Sequence, residues 1–92
     1  MHLVSYHKRA QKALRSIPSA RARSIVESIN RIADLDDPTS DSNVRMMTGE
    51  WHGSWRLRVG EYRVIFDLTA TGEGDAELVV FLTHIGSRGG IY

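Results

Sequence analysis

Apolar positions along the chain change period once. Up to Ala33 they recur at helical spacing, and from Val44 onward they alternate. Tyr6, Ala10, Ala13, Leu14 and Ile17 predict a short amphipathic helix that Pro18 closes. A second helix is expected from Ser19, which stands where an N-cap belongs. Its stripe holds Ala22, Ile25, Val26, Ile29, Ile32 and Ala33, and it runs out before "DLDDPTSDSN". The apolar start "HLV" predicts a first strand. Residues 34–43 are acidic and rich in turn formers, so they read as a loop crossing from helices to sheet. Strands are expected near residues 44–47, 54–59, 62–68 and 77–85, with "TATGEGDA" as the loop before the last. That last strand, "ELVVFLTHI", is apolar on both faces and should lie centrally under the helices. These elements predict an α+β fold: an N-terminal helical hairpin packed on one face of a small, mainly antiparallel sheet of four to five strands. The other face of the sheet is left for a site. With 92 residues and 41% hydrophobic content, residues 1–92 suit one domain.

The stretch "SWRLRVGEYRVIFDL" carries the strongest local pattern. If Gly60 and Glu61 are the central residues of a type II′ turn, Gly60 supplies the positive φ at its first centre. Val59 then faces Tyr62, Arg58 faces Arg63 and Leu57 faces Val64. Strand alternation puts Trp55, Leu57, Val59, Tyr62, Val64 and Phe66 on one face, and Arg56, Arg58 and Arg63 on the other. Like charges directly opposite on a sheet destabilise it, by up to about 1 kcal/mol. An anionic partner would account for the placement. The alternative is that Asp67, Glu61 or Glu77 neutralise the arginines in surface ion pairs.

Charge sharpens this picture only locally. The formal net charge is +1, but ten of the twelve basic residues are Arg, the planar bidentate phosphate binder. From Val44 onward five arginines face six acidic residues, so any nucleic-acid site there must come from clustering. The outer faces of the two helices carry Lys8, Arg9, Lys12, Arg15, Arg21, Arg23 and Arg31, which read first as ordinary solvated charge. Zero cysteines exclude disulfides, thiolate metal sites and cysteine nucleophiles. No apolar run approaches the ~20 residues of a membrane span, and "MHLVSYHKRAQ" lacks the order of a signal peptide, so a cytoplasmic protein without membrane contact is expected.

The end of the chain, "FLTHIGSRGGIY", runs from a strand into Gly86-Ser87-Arg88 and ends on Tyr92. Glycines there let the chain bend back, bringing Arg88 and Tyr92 toward the arginine face. Together, "WRLRVGEYRVIF" and the ending Gly-x-Arg-x-x-Ile-Tyr resemble the RelE/ParE toxin superfamily of bacterial and archaeal toxin–antitoxin systems, over the whole domain. The RelE branch of that superfamily cuts messenger RNA in the ribosomal A site, using basic residues on the sheet and a C-terminal Tyr. The resemblance implies Arg56, Arg58, Arg63, Arg88 and Tyr92 as the catalytic set, with messenger RNA, the ribosome and a cognate antitoxin as partners. It implies a metal-independent endoribonuclease with no cofactor: the RNA 2′-OH attacks the adjacent phosphate and leaves a 2′,3′-cyclic phosphate. Arg63 and a neighbour would hold the phosphate, and Tyr92, with a reference pKa near 10, would take the 2′-OH proton with help from surrounding arginines. The donor of a proton to the leaving 5′-oxygen stays open, since Arg is a poor acid, and Arg88 and Arg58 are candidates by position only. Ser87 stands where many relatives have His or Lys, and Ser54 where some have Lys.

Two other readings share these residues. A ParE-like protein inhibits DNA gyrase on the same scaffold without a catalytic set, and a plain RNA-binding module would keep the arginines and dispense with Tyr92. The four histidines (2, 7, 52, 84) match no common metal-ligand spacing, and His84 is expected as a hydrogen-bonded residue at the core's edge, with an active-site role near Ser87 as the alternative. "GEGDAE" leads into a strand and fails as a dinucleotide fingerprint. Trp51 and Trp55 could stack on bases, but packing is the expectation for both.

Overall fold

Pro18 sets the geometry of the helical half of the chain. The computed structural model describes residues 2–71 and 77–87. A residue before proline is pushed out of the helical region. Ile17 is accordingly extended (φ −96°, ψ 142°) and ends α1 (Lys8–Ser16). α2 (Ser19–Ala33) starts at once with Pro18 as its N-cap, whose carbonyl accepts from the backbone N–H groups of Arg21 and Ala22. Ser19, expected as the cap, is therefore the first residue of the helix, and no side chain caps it. The helical spacing also claimed Tyr6, and this is corrected: Tyr6 closes β1 (Leu3–Tyr6), paired in parallel with Leu82. His7 makes the break, its Nδ1 accepting from the Arg9 backbone N–H at 3.0 Å.

β2 (Val44–Met46), β3 (Trp55–Val59), β4 (Tyr62–Ala70) and β5 (Leu78–Ser87) join β1 in a five-stranded sheet of order β1-β5-β4-β3-β2. Only the β1–β5 pair is parallel. Short 3-10 turns at Pro38–Ser40 and Gly49–Trp51 interrupt the two connections that precede β2 and β3. Buried His2 ties the start of the chain down from two sides. Its Nδ1 accepts from Leu78 N–H at 2.9 Å, which leaves Nε2 to donate to the Asp36 carbonyl at 2.9 Å.

The core lies between the helices and one face of the sheet. α2 presents Ile25, Ile29, Ile32 and Ala33, all fully buried at spacings that keep them on one stripe. They meet Leu57, Val64, Phe66, Val80, Leu82 and Ile85 from the sheet, with Ala10 from α1 and with Trp55, Val59 and Tyr62 packed around the margin. Trp55 thus packs against the core from its edge, on the face its strand position predicts.

β5 departs from simple alternation. Ile65 pairs with His84 but Phe66 pairs with Leu82, so Thr83 is an extra residue, a β-bulge. Its hydroxyl donates to the Ile65 carbonyl at 3.2 Å. The bulge switches parity: Val80 and Leu82 face the helices before it, and Ile85 does so after it. His84, which strict alternation from Leu82 would send into the core, is delivered to the open face instead. Phe66→Ala should cost about 3–5 kcal/mol in urea unfolding because the ring is fully enclosed. Met46→Ala, at 62% exposure on β2, should stay within about 0.5 kcal/mol.

Candidate functional site

The face of the sheet turned away from the helices is built by the β3–β4 turn. Gly60 has φ +59°, and no described non-glycine residue has positive φ, so Glu61 follows in the negative region that a type II′ turn requires. The register comes out as expected: Val59 opposite Tyr62, Arg58 opposite Arg63, Leu57 opposite Val64. β2 adds a residue that the strand pattern alone did not expose, because Arg45 lies directly opposite Arg56. Two facing arginine pairs, Arg45–Arg56 and Arg58–Arg63, therefore share the open face.

The ion-pair alternative does not hold for them. Among the described residues, Glu61 reaches Arg21 of α2 at 4.0 Å and Asp41 pairs with Arg31 at 3.2 Å. Asp67 accepts a hydrogen bond from the Ser54 hydroxyl. None of the four arginines has a carboxylate partner among the described residues. Arg45 and Arg63 instead donate to backbone carbonyls, those of Ser42 and Val44 and those of Gly60 and Tyr62 respectively. Arg56 holds its Nε buried with no hydrogen-bond partner among the described residues. Leaving such a donor unsatisfied costs about 1–3 kcal/mol. The face carries both like-charge repulsion and an orphaned donor.

Arg58 and Arg63 line a cleft of about 390 Å³ together with Gly60, Glu61 and Ser87. That volume suits a nucleotide-sized group. Ser87 is the last described residue, so Arg88 and Tyr92, the remaining two members of the expected set, lie outside the described residues.

A second group occupies the same face toward β5. The 3-10 turn brings Trp51 edge-on to His84, with ring centroids 4.7 Å apart at 87°. Trp51 therefore packs, as expected, but on the open face and not in the core. His84 is likewise on the open face, in register with Ile65, and its Nδ1 lies 3.1 Å from the Thr83 hydroxyl. Ile65 is fully buried between Arg56 and His84 although it points away from the helices. Burial lowers the His84 pKa below its ordinary 6.5, and the nearby Arg9 and His7 lower it further against a weak opposite pull from Asp67. Arg9 reaches this corner from α1, its Nε donating to the Thr83 carbonyl at 3.0 Å. Sequence pattern alone missed Arg45 and the open-face placement of half-buried His84. The first needed the β2 register, and the second needed the bulge.

Residues 4–92 match the family model described as ParE toxin of type II toxin–antitoxin system, parDE. The chain belongs to this toxin family. The toxin's fold is also that of three RelE-containing complexes. It is similar to a chain of the archaeal RelE–RelB complex from Pyrococcus horikoshii at 27% identity and TM-score 0.70, covering 96% of each chain. It is similar to a chain of the intact RelBE complex from Escherichia coli at 15% identity and TM-score 0.69, covering 95% of this chain and 96% of that one. With RelBE2 from Mycobacterium tuberculosis the values are 18%, 0.68, 95% and 98%. No curated protein matches the sequence. The resemblance to the RelE/ParE superfamily therefore stands, as does the α+β fold expected from the order of the elements.

Two outcomes follow from the electrostatics of this face. Millimolar sulfate or phosphate should raise the toxin's Tm by binding the folded state, and Arg58→Gln/Arg63→Gln should abolish that rise without lowering the anion-free Tm. His84 is harder to protonate when folded than when unfolded, so the stability linked to its neutral ring is present above pH 6.5 and lost as pH falls through its lowered pKa. The Tm advantage of wild type over His84→Gln should therefore shrink between pH 7.5 and pH 5.5, read by thermal denaturation at matched ionic strength.

Proposed function

We propose that this toxin is a ribosome-dependent endoribonuclease that cuts messenger RNA in the A site by attack of the 2′-OH on the adjacent phosphate. The observation that carries the reading is the arginine face: two facing pairs with no carboxylate partner among the described residues, one pair lining a nucleotide-sized cleft. A phosphodiester backbone supplies the negative charge that the fold itself withholds.

In this reading a phosphate sits against Arg58 and Arg63, and bidentate guanidinium contacts hold it and stabilise charge growing on its non-bridging oxygens. The bond from the 2′-oxygen to phosphorus forms as the bond to the 5′-oxygen breaks, giving a 2′,3′-cyclic phosphate and a 5′-hydroxyl. The internal nucleophile needs no metal and no cofactor. Arg56 and Arg45 extend the cationic track toward β2. Arg88, a candidate by position for protonating the leaving oxygen, and Tyr92, to which the resemblance gives the 2′-OH proton, complete the proposed set. Since the similar solved structures are toxin–antitoxin complexes, a cognate antitoxin is the proposed regulator of this face.

A second reading has its own support, because the matching family model is that of ParE toxins. In that case the arginine face docks on DNA gyrase and no RNA is cut. Primer extension on a defined message in a reconstituted translation system separates the two. The expected result is cleavage within the A-site codon that requires ribosomes, with Arg63→Ala reducing it at least about 100-fold and Tyr92→Phe slowing it. An uncut message, with supercoiling by gyrase inhibited instead, would establish the second reading.

A further inference from the structure

The arginine face can hold and stabilise a phosphate, but it cannot accept a proton, since guanidinium stays charged throughout the accessible range. Among the described residues on this face and in its cleft, Asp67, Glu61 and His84 can, and Glu61 lies 4.0 Å from the Arg21 guanidinium. Asp67 is engaged by the Ser54 hydroxyl. His84 is differently arranged, and its hydrogen bonds fix which ring nitrogen carries the proton.

The Thr83 hydroxyl has one hydrogen, and it is donated to the Ile65 carbonyl at 3.2 Å. The same oxygen lies 3.1 Å from His84 Nδ1. With its hydrogen committed elsewhere, Thr83 Oγ1 can only accept, so Nδ1 must be the N–H donor. The neutral ring is therefore the Nδ1–H tautomer, and its lone pair is on Nε2, which has no hydrogen-bond partner among the described residues. Trp51, edge-on at 4.7 Å, restrains the ring.

Position agrees with this chemistry. His84 continues the row Arg56–Ile65 across the open face, and the next row on that face is Arg58–Arg63–Gly86. Adjacent rows on one face are two residues apart, about 6.5–7 Å along the strands. A nucleotide whose phosphate rests on Arg58 and Arg63 spans that gap with its ribose. Most of the charge around the ring opposes an imidazolium: Arg9 and His7 at the start of α1 disfavour it and Asp67 on β4 favours it, while Arg56 on β3 lies in the same row beyond Ile65. The ring is held neutral near pH 7, as a base must be.

Resting on the nuclease reading above, we propose that His84 Nε2 takes the 2′-OH proton during cleavage and that Thr83 is the positioning residue that sets its tautomer. The 2′-O–H bond breaks and its proton passes to Nε2 as the 2′-oxygen bonds to phosphorus. The 5′-oxygen leaves and takes a proton from water, and the imidazolium neutralises the hydroxide so formed. The phenol of Tyr92, poorly matched to this step by its reference pKa near 10, is then a hydrogen-bonding group and not the acceptor.

The test is single-turnover cleavage on programmed ribosomes, with ribosome binding measured alongside and folding checked by circular dichroism. His84→Gln should lower the cleavage rate by about 10²–10⁴-fold with binding unchanged. The wild-type rate should fall on the acid side of the lowered His84 pKa, and that limb should vanish in the variant. Added imidazole should restore part of the rate in His84→Ala. Nitrogen-15 spectra of the free toxin should show the Nδ1–H tautomer, and Thr83→Val should convert it to a mixture while slowing cleavage less than His84→Gln. Wild-type toxin that cuts and needs Arg63, with His84→Gln within about twofold of it, would overturn the proposal alone. An Nε2–H tautomer in the spectra would do the same. Wild type that cuts no message on ribosomes would remove the nuclease reading and this proposal together.

Discussion

β4 is the strand on which the other parts depend. It lies at the middle of the sheet, and Val64, Ile65 and Phe66 are all fully enclosed. A one-residue slip on either side would exchange core and surface for every residue beyond it. Two local devices prevent that slip. On one side Gly60, in the positive-φ region, closes a two-residue turn and sets β3 in register. On the other side Thr83 is inserted opposite β4 and anchored by its hydroxyl to the Ile65 carbonyl. The turn decides where the arginines point, and the bulge decides where His84 points.

The same register that secures the core creates an electrostatic cost on the open face. Arg45 faces Arg56 and Arg58 faces Arg63, and each pair opposes the sheet by a few tenths to about 1 kcal/mol. Nearby acids are occupied elsewhere: Glu61 with Arg21, Asp41 with Arg31, Asp67 with the Ser54 hydroxyl. The core stabilisation from the α2 isoleucines and the inner face of the sheet offsets this repulsion, since each fully buried aliphatic side chain contributes about 1.5–3 kcal/mol. A face that costs stability when empty gains it when an anion binds, which is the physical link between this fold and a polyanionic target.

Most of the fold was legible because its signals are local. The α2 stripe at Ile25, Ile29 and Ile32 is a helical period, and "WRLRVGEYRVIF" alternates cleanly around one glycine. Tyr6 misled because it sits at helical spacing from Ala10, while the deciding influences, pairing with Leu82 and capping by His7, are partly distant in sequence. Arg45 stayed hidden since a three-residue strand carries too little pattern to define a face. The placement of His84 required the bulge, and nothing in "FLTHIG" marks Thr83 as the extra residue. Arg56, Arg58 and Arg63 were readable from alternation alone, whereas Arg88 and Tyr92 rested on the bend that glycines permit together with the resemblance, and they lie beyond the described residues.

The central claim is that Arg58 and Arg63 oppose each other in the empty toxin and cooperate when a phosphodiester lies between them. A double-mutant cycle with Arg58→Gln and Arg63→Gln, read both as unfolding free energy and as affinity for a short single-stranded RNA, measures this directly. The account predicts couplings of opposite sign: repulsive in the stability of the free toxin and favourable in RNA affinity. Additive effects in both, or a favourable coupling in the free toxin, would contradict it and would mean that the pair is neutralised within the fold.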